Sequence, residues 1–127
     1  MPVSKHDSYP VIEFKDAKAF EKWLAKNHAK EKGVWANIAK MSSGIKSITH
    51  LEALDIALCY GWIDGLRRGV DDTYFVQKFT PRVAKSKWSE INKKKAAMLI
   101  KQGRMKAAGF AAIDVAKKNG EWERGGK

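Results

Sequence analysis

Between Trp62 and Asn92 the chain concentrates the side chains best suited to holding a ligand. Trp62-Ile63-Asp64-Gly65 sets an aromatic ring and a carboxylate two residues apart, which on a strand puts both on one face. Phe79-Thr80-Pro81-Arg82 brings a hydroxyl and a guanidinium to a strand end. Ser86, Trp88, Ser89 and Asn92 come next, at an expected helix start, where free N–H groups and the positive dipole end suit an anion. Arg82 and Lys85 lie just upstream and add charge-assisted donors. The chemistry on offer is a phosphate or carboxylate pocket walled by Trp62 and Trp88. The competing reading is structural: the serines cap a helix, the tryptophans fill the core, and Arg82 pairs with Asp64.

Other groupings carry less. His6, His28 and His50 are far apart, no His/Cys/Asp/Glu spacing resembles a metal site, and no cofactor signature is present. His50 falls at the start of a helix and reads as a surface residue. Cys59, within an apolar helix, reads as a buried inert thiol. Asp71-Asp72 suits a turn, and Ser42-Ser43-Gly44 between Lys40 and Lys46 is too short and plain for a P-loop. Lys93, Lys94 and Lys95 spread over about 200° of a helix and cannot all face one ligand. With Lys101, Arg104 and Lys106 they make a diffuse field, suited to non-specific attraction of nucleic acid or acidic lipid without base reading.

These residues need elements to position them. Val11, Ile12 and Phe14 suggest a first strand or extended arm. Asp16 can cap a helix carrying Ala17, Phe20, Trp23 and Leu24, stopping near Gly33. Val34 to Lys40 alternates like a half-buried strand. Thr49 and Glu52 have the spacing of a capping box, opening a helix with Leu51, Leu54, Ala57 and Leu58 inward and Gly61 as its stop. Trp62–Arg68 and Thr73–Thr80 form a β-hairpin about the Asp71-Asp72 turn. Ser86 can cap a third helix with Trp88, Ile91, Met98 and Leu99 inward. A fourth, from about Met105 to Lys118, turns Ala108, Ala112, Ile113 and Ala116 inward. The order predicts an α+β domain: a small antiparallel sheet of three to four strands, including the hairpin at about 62–80, with four helices mainly on one face. Residues 1–10 and 123–127 read as frayed.

Composition bounds the function classes. A chain of 127 residues suits a single domain. One cysteine excludes an internal disulfide, and no stretch approaches the ~20 apolar residues that span a bilayer. The polar N-terminus carries no signal-peptide core, so a cytoplasmic location is expected. Residues 1–80 hold 12 basic and 10 acidic side chains, whereas residues 81–127 hold 13 and 4, so most of the net +11 lies in the last third. That asymmetry favours acidic partners.

The motifs also match a family pattern in order. Trp23-Leu24-x-x-Asn27-His28, Gly33-Val34-Trp35 and Lys40-x-Ser42-Ser43-Gly44 precede Glu52-Ala53-Leu54-Asp55-x-Ala57-Leu58-Cys59-Tyr60-Gly61-Trp62-Ile63-Asp64-Gly65. Phe79-Thr80-Pro81-Arg82, Ser86-x-Trp88-Ser89-x-x-Asn92 and Gly103-Arg104-Met105 complete the series. Across about Phe14 to Trp122 the chain resembles the YdeI/OmpD-associated, or bacteriocin-protection, family, without the further helical segment members usually carry after Gly120-x-Trp122. The resemblance implies a link to envelope stress or peptide-antibiotic resistance. It implies Trp35, Lys40, Trp62, Asp64, Arg82, Trp88, Asn92 and Arg104 as candidate site residues, but no particular activity. Three functions stay open: a binding module for an anionic small molecule or phosphate group, an interaction protein, and a small-substrate enzyme using Asp64 with Arg82.

Overall fold

The computed structural model describes residues 9–124. The expectations for residues 1–8 and 125–127 lie outside the described residues. Strand β1 (Val11–Glu13) leads into helix α1 (Ala17–Asn27), which Asp16 caps by accepting the Ala19 N–H. Apolar residues three to four apart bury Phe20 and Leu24 on one side of α1. The helix ends well before Gly33, because Asn27 and His28 turn back onto the carbonyls of Trp23 and Leu24. Gly33 serves a different purpose: a Cβ there would stand 2.6 Å from the Tyr9 ring.

Strand β2 (Val34–Ala39) runs to a short 3-10 turn at Met41–Ser43, and helix α2 (His50–Cys59) then opens on the Thr49/Glu52 capping box. The hairpin β3 (Trp62–Gly69) and β4 (Tyr74–Pro81) closes on Asp71, whose carboxylate accepts from the Thr73 and Tyr74 N–H groups. Those two bonds hold its pKa below the usual carboxylate value. Helix α3 (Glu90–Lys101), α4 (Ala107–Lys118) and a one-turn α5 (Glu121–Arg124) complete the α+β fold.

The four strands lie in the order β1-β2-β4-β3. Pairing is antiparallel except between β1 and β2, which run parallel. The sheet is therefore mixed rather than purely antiparallel. The reason is connectivity: α1 returns the chain to the starting end of the sheet, as parallel pairing requires. The core occupies one face, where Val34, Ala36, Ile38, Trp62 and Phe79 meet Phe20, Leu24, Leu58 and Trp88. Each of the larger side chains contributes roughly 2 kcal/mol by leaving water.

A β-bulge interrupts the hairpin. In the ladder, Asp64 faces Phe79, yet the next pair is Arg67 with Gln77, so Gly65 and Leu66 oppose Lys78 alone. The extra residue puts Arg67 on the helix side of the sheet, where an unbroken register would put Leu66. Buried Gln77 fills the bulge: its Nε2 donates to the Gly65 carbonyl at 2.7 Å, and its Oε1 accepts from Arg67 Nε at 3.4 Å.

Helices α2 and α4 cross unusually closely. A Cβ on Gly61 would meet the Ala108 carbonyl at 2.7 Å, and one on Gly109 would meet the Cys59 carbonyl at 2.5 Å. The missing side chains let α4 lie directly on the end of α2, where Lys106 N–H reaches the Cys59 carbonyl at 3.0 Å.

Candidate functional site

Arg82 leaves the end of β4 with its backbone N–H on the Gly61 carbonyl at 2.9 Å, fixed beside the C-terminus of α2. Its guanidinium lies over the Trp88 ring, with Cζ 3.6 Å from the centroid. Nη1 donates to the Lys87 carbonyl at 3.1 Å. Nε and Nη2 are shut off from solvent and have no hydrogen-bond partner. Burial pulls the pKa of this guanidinium down to about 10, against the opposing pull of the Asp64 charge, and it remains a cation at neutral pH. Trp88 is itself backed by Trp122 of α5, with centroids 5.0 Å apart. Lys117 approaches the outer ring at 5.1 Å.

A cavity of about 350 Å³ opens beside this stack. Trp62, Arg82, Ser86 and Trp88 line one wall, and the small side chains Ala108, Ala112 and Ala116 of α4 line the other. Ser86 Oγ accepts the Val83 N–H at 3.0 Å, so its own hydroxyl proton stays available to a guest. The cavity therefore joins a cationic plane and a hydroxyl to an apolar wall, a composition typical of small-ligand sites.

The structure brings four of the predicted site residues together here: Trp62, Arg82, Ser86 and Trp88. It separates the rest. Asp64 turns to His50, with Oδ2 2.8 Å from Nε2, so the expected alternative of an Arg82–Asp64 ion pair does not form. Trp35 lies on the opposite face of the sheet, under Arg68 and Lys78. Lys40 spends its ammonium on the Asp71 carbonyl at 2.7 Å, bracing the hairpin turn. Ser89, not Ser86, caps α3 by accepting the Asn92 N–H. The helix thus starts at Glu90, beyond the cavity, and its N-terminus is not part of the site. Arg104 sits exposed in the α3–α4 turn against Gln102.

Other expectations shift as well. Ile91 and Met98 are 69% and 54% exposed, whereas Leu99 and Trp88 are buried as expected and Ala96 joins Leu99 on the inner side of α3. Leu51 is exposed rather than inward on α2. The lysine run diverges as the helical spacing predicts: Lys93 pairs with Glu90 and Lys95 with Asp55, each at 3.2 Å. Ser43 turns its hydroxyl onto the Lys40 carbonyl, so the Ser42-Ser43-Gly44 loop binds itself.

Sequence reasoning missed His50, Arg67 and Gln77. His50 and Asp64 are 14 residues apart on different elements, and the bulge that aims Arg67 is a property of register. With Ile38, Met41, Leu51 and Phe75, His50 and Arg67 line a second, larger cleft of about 580 Å³. Among the described residues no group of three or more His, Cys, Asp or Glu side chains could hold a metal ion, and no helix is long and apolar enough to cross a membrane.

Neither a curated protein nor a solved structure matches the chain significantly. One family model does, a domain of unknown function (DUF8412), over residues 12–112, which takes in most of the sheet, the Arg82–Trp88 stack and the α4 alanines Ala108 and Ala112. The chain belongs to the DUF8412 family.

Proposed function

We propose that this protein is a binding module for a small anionic molecule, a phosphate or carboxylate on a compact body, seated in the Arg82–Trp88 cavity. One observation carries the reading: a guanidinium at the cavity wall with two buried nitrogens that have no hydrogen-bond partner. A charge withdrawn from water without a partner costs several kcal/mol. Asp64, the carboxylate whose charge acts on Arg82, is held by His50. A guest anion would be held by the charge of the guanidinium at the cavity wall, with the Ser86 hydroxyl as a donor and the α4 alanines around its apolar part. A reducing, cytoplasmic setting is part of the proposal, in keeping with the single buried thiol.

The test uses Arg82→Met, which keeps an unbranched apolar side chain but removes the charge and the planar guanidinium. Calorimetric titration with inorganic phosphate, phenyl phosphate and benzoate should show saturable binding to the wild type, weakened at least about tenfold in the variant, as expected for a lost charge-assisted contact of ~1.5–3 kcal/mol. The ligand-free variant should melt at or above the wild-type temperature, because replacing an unpaired buried charge by an apolar group is neutral or stabilising. An Arg82 that serves only the fold gives the opposite pair of results: a lower melting temperature in the variant and no anion binding by the wild type.

A further inference from the structure

The second cleft lies at the far end of the helix-covered face, where β2, β3 and β4 run out past the start of α2. Its walls are apolar, from Ile38, Met41, Leu51 and Phe75, and two of these side chains stand in solvent: Met41 is 90% and Leu51 60% exposed. Exposed apolar side chains gathered at the rim of a concave surface mark a place that something apolar covers.

The polar groups in this cleft are specifically placed. Arg67 reaches it through the bulge at Gly65-Leu66, and it is held there at two points. Its Cζ lies 4.2 Å from the centroid of the Phe75 ring, and its Nε faces Gln77 Oε1. Both terminal amino groups of the fork are left without a partner among the described residues, in the geometry that accepts a carboxylate in two parallel hydrogen bonds. Lys40 also borders the cleft, but its ammonium is engaged by the Asp71 carbonyl. His50 stands at the first turn of α2 with its ring orientation set by Asp64. A preset cationic fork among apolar walls complements one kind of guest, an apolar body with a single anionic head.

We propose that this cleft is a binding site for a small amphiphilic carboxylate, such as a medium-chain fatty acid, with its carboxylate on the Arg67 fork and its chain along Met41, Leu51, Ile38 and Phe75. The site is separate from the Arg82 cavity, and neither proposal depends on the other.

Octanoate is the probe, titrated by calorimetry into the full chain, with butanoate and hexanoate to vary length and 1-octanol to remove the charge. Affinity should rise roughly fourfold per added methylene, the value of burying one such group. Arg67→Met should weaken octanoate at least about tenfold while barely affecting 1-octanol, and Arg67→Lys should recover part of the loss. Arg67 is exposed, so both variants should keep the wild-type circular dichroism, with Arg67→Met melting somewhat lower because buried Gln77 Oε1 loses its partner. Arg82→Met should leave octanoate binding unchanged, which distinguishes this cleft from the other cavity. The proposal is overturned by an absence of saturable octanoate binding, by equal affinity for all three chain lengths, or by folded Arg67→Met binding as tightly as the wild type.

Discussion

At the scale of single residues, the same physical act, burial of an ionisable group, has different consequences at Arg82 and Cys59. Arg82 keeps its charge although two of its nitrogens are buried without a hydrogen-bond partner. Cys59 keeps its proton: burial pushes its thiol from 9.0 up to about 11. The residue is 2% exposed, at the end of α2 beneath Gly109 of α4. The unfolded chain releases this proton first, so the stability the thiol contributes is complete below pH 9 and is lost as pH rises toward 11. Comparing wild type with Cys59→Ala by urea unfolding, the advantage of the wild type should shrink by on the order of 2 kcal/mol between neutral pH and pH 11. A difference that stays flat across that interval would show that the thiol ionises freely in the fold. Some of this scale is readable in the sequence. Cys59 can be placed inside because its neighbours are apolar, and Arg82 can be set near Trp88 because they lie six positions apart. His50 cannot be paired with Asp64, since nothing local in either segment records the packing of α2 on β3.

At the scale of elements, the bulge and its Gln77 plug tie the hairpin to the cleft. Gln77→Leu fits the available volume but leaves the Gly65 and Leu66 carbonyls without the amide that now reaches them at 2.7 and 3.2 Å. Each hydrogen bond lost contributes about 0.5–1.5 kcal/mol, and urea unfolding should register a loss of about 1–3 kcal/mol. A loss below about 0.5 kcal/mol, the usual effect of an innocuous surface change, would mean that water replaces the amide without cost. Elements whose signals are local were legible: the Thr49/Glu52 box, the Asp71 turn and both hairpin strands arise from residues within a few positions of one another. Where two local solutions compete, tertiary contacts decide. Ser86 and Ser89 are equally good caps, but Ser86 is taken by the Val83 N–H and the helix begins three residues later. Helical spacing alone allows Ile91 and Met98 to face either way, and the core beside α3 is already filled by Trp88. The parallel β1–β2 pair was hidden because alternation along a strand carries no record of its neighbour's direction.

At the scale of the whole molecule, the basic last third is less of a single surface than its composition implies. Lys93 and Lys95 are drawn to Glu90 and Asp55, Lys117 leans over Trp122, and Arg104 rests on Gln102. The strand order has a consequence for how separate copies of the chain meet. Strand β3 ends the sheet, and among the described residues no strand pairs with its outer side. An open edge of this kind invites another copy to extend the sheet, and natural proteins discourage this with charge and irregular backbone. Here both occur together, at the Gly65-Leu66 bulge and the adjacent Arg67-Arg68. The kink and the paired arginines thus act as a guard against edge-to-edge self-association as well as aiming Arg67. Deleting Gly65 and replacing Arg67 and Arg68 with Thr should straighten and neutralise that edge. Size-exclusion chromatography should then show larger species increasing with concentration beyond those of the wild type at the same concentrations. A variant that remains monomeric at high concentration would show that the edge is protected by something other than these residues.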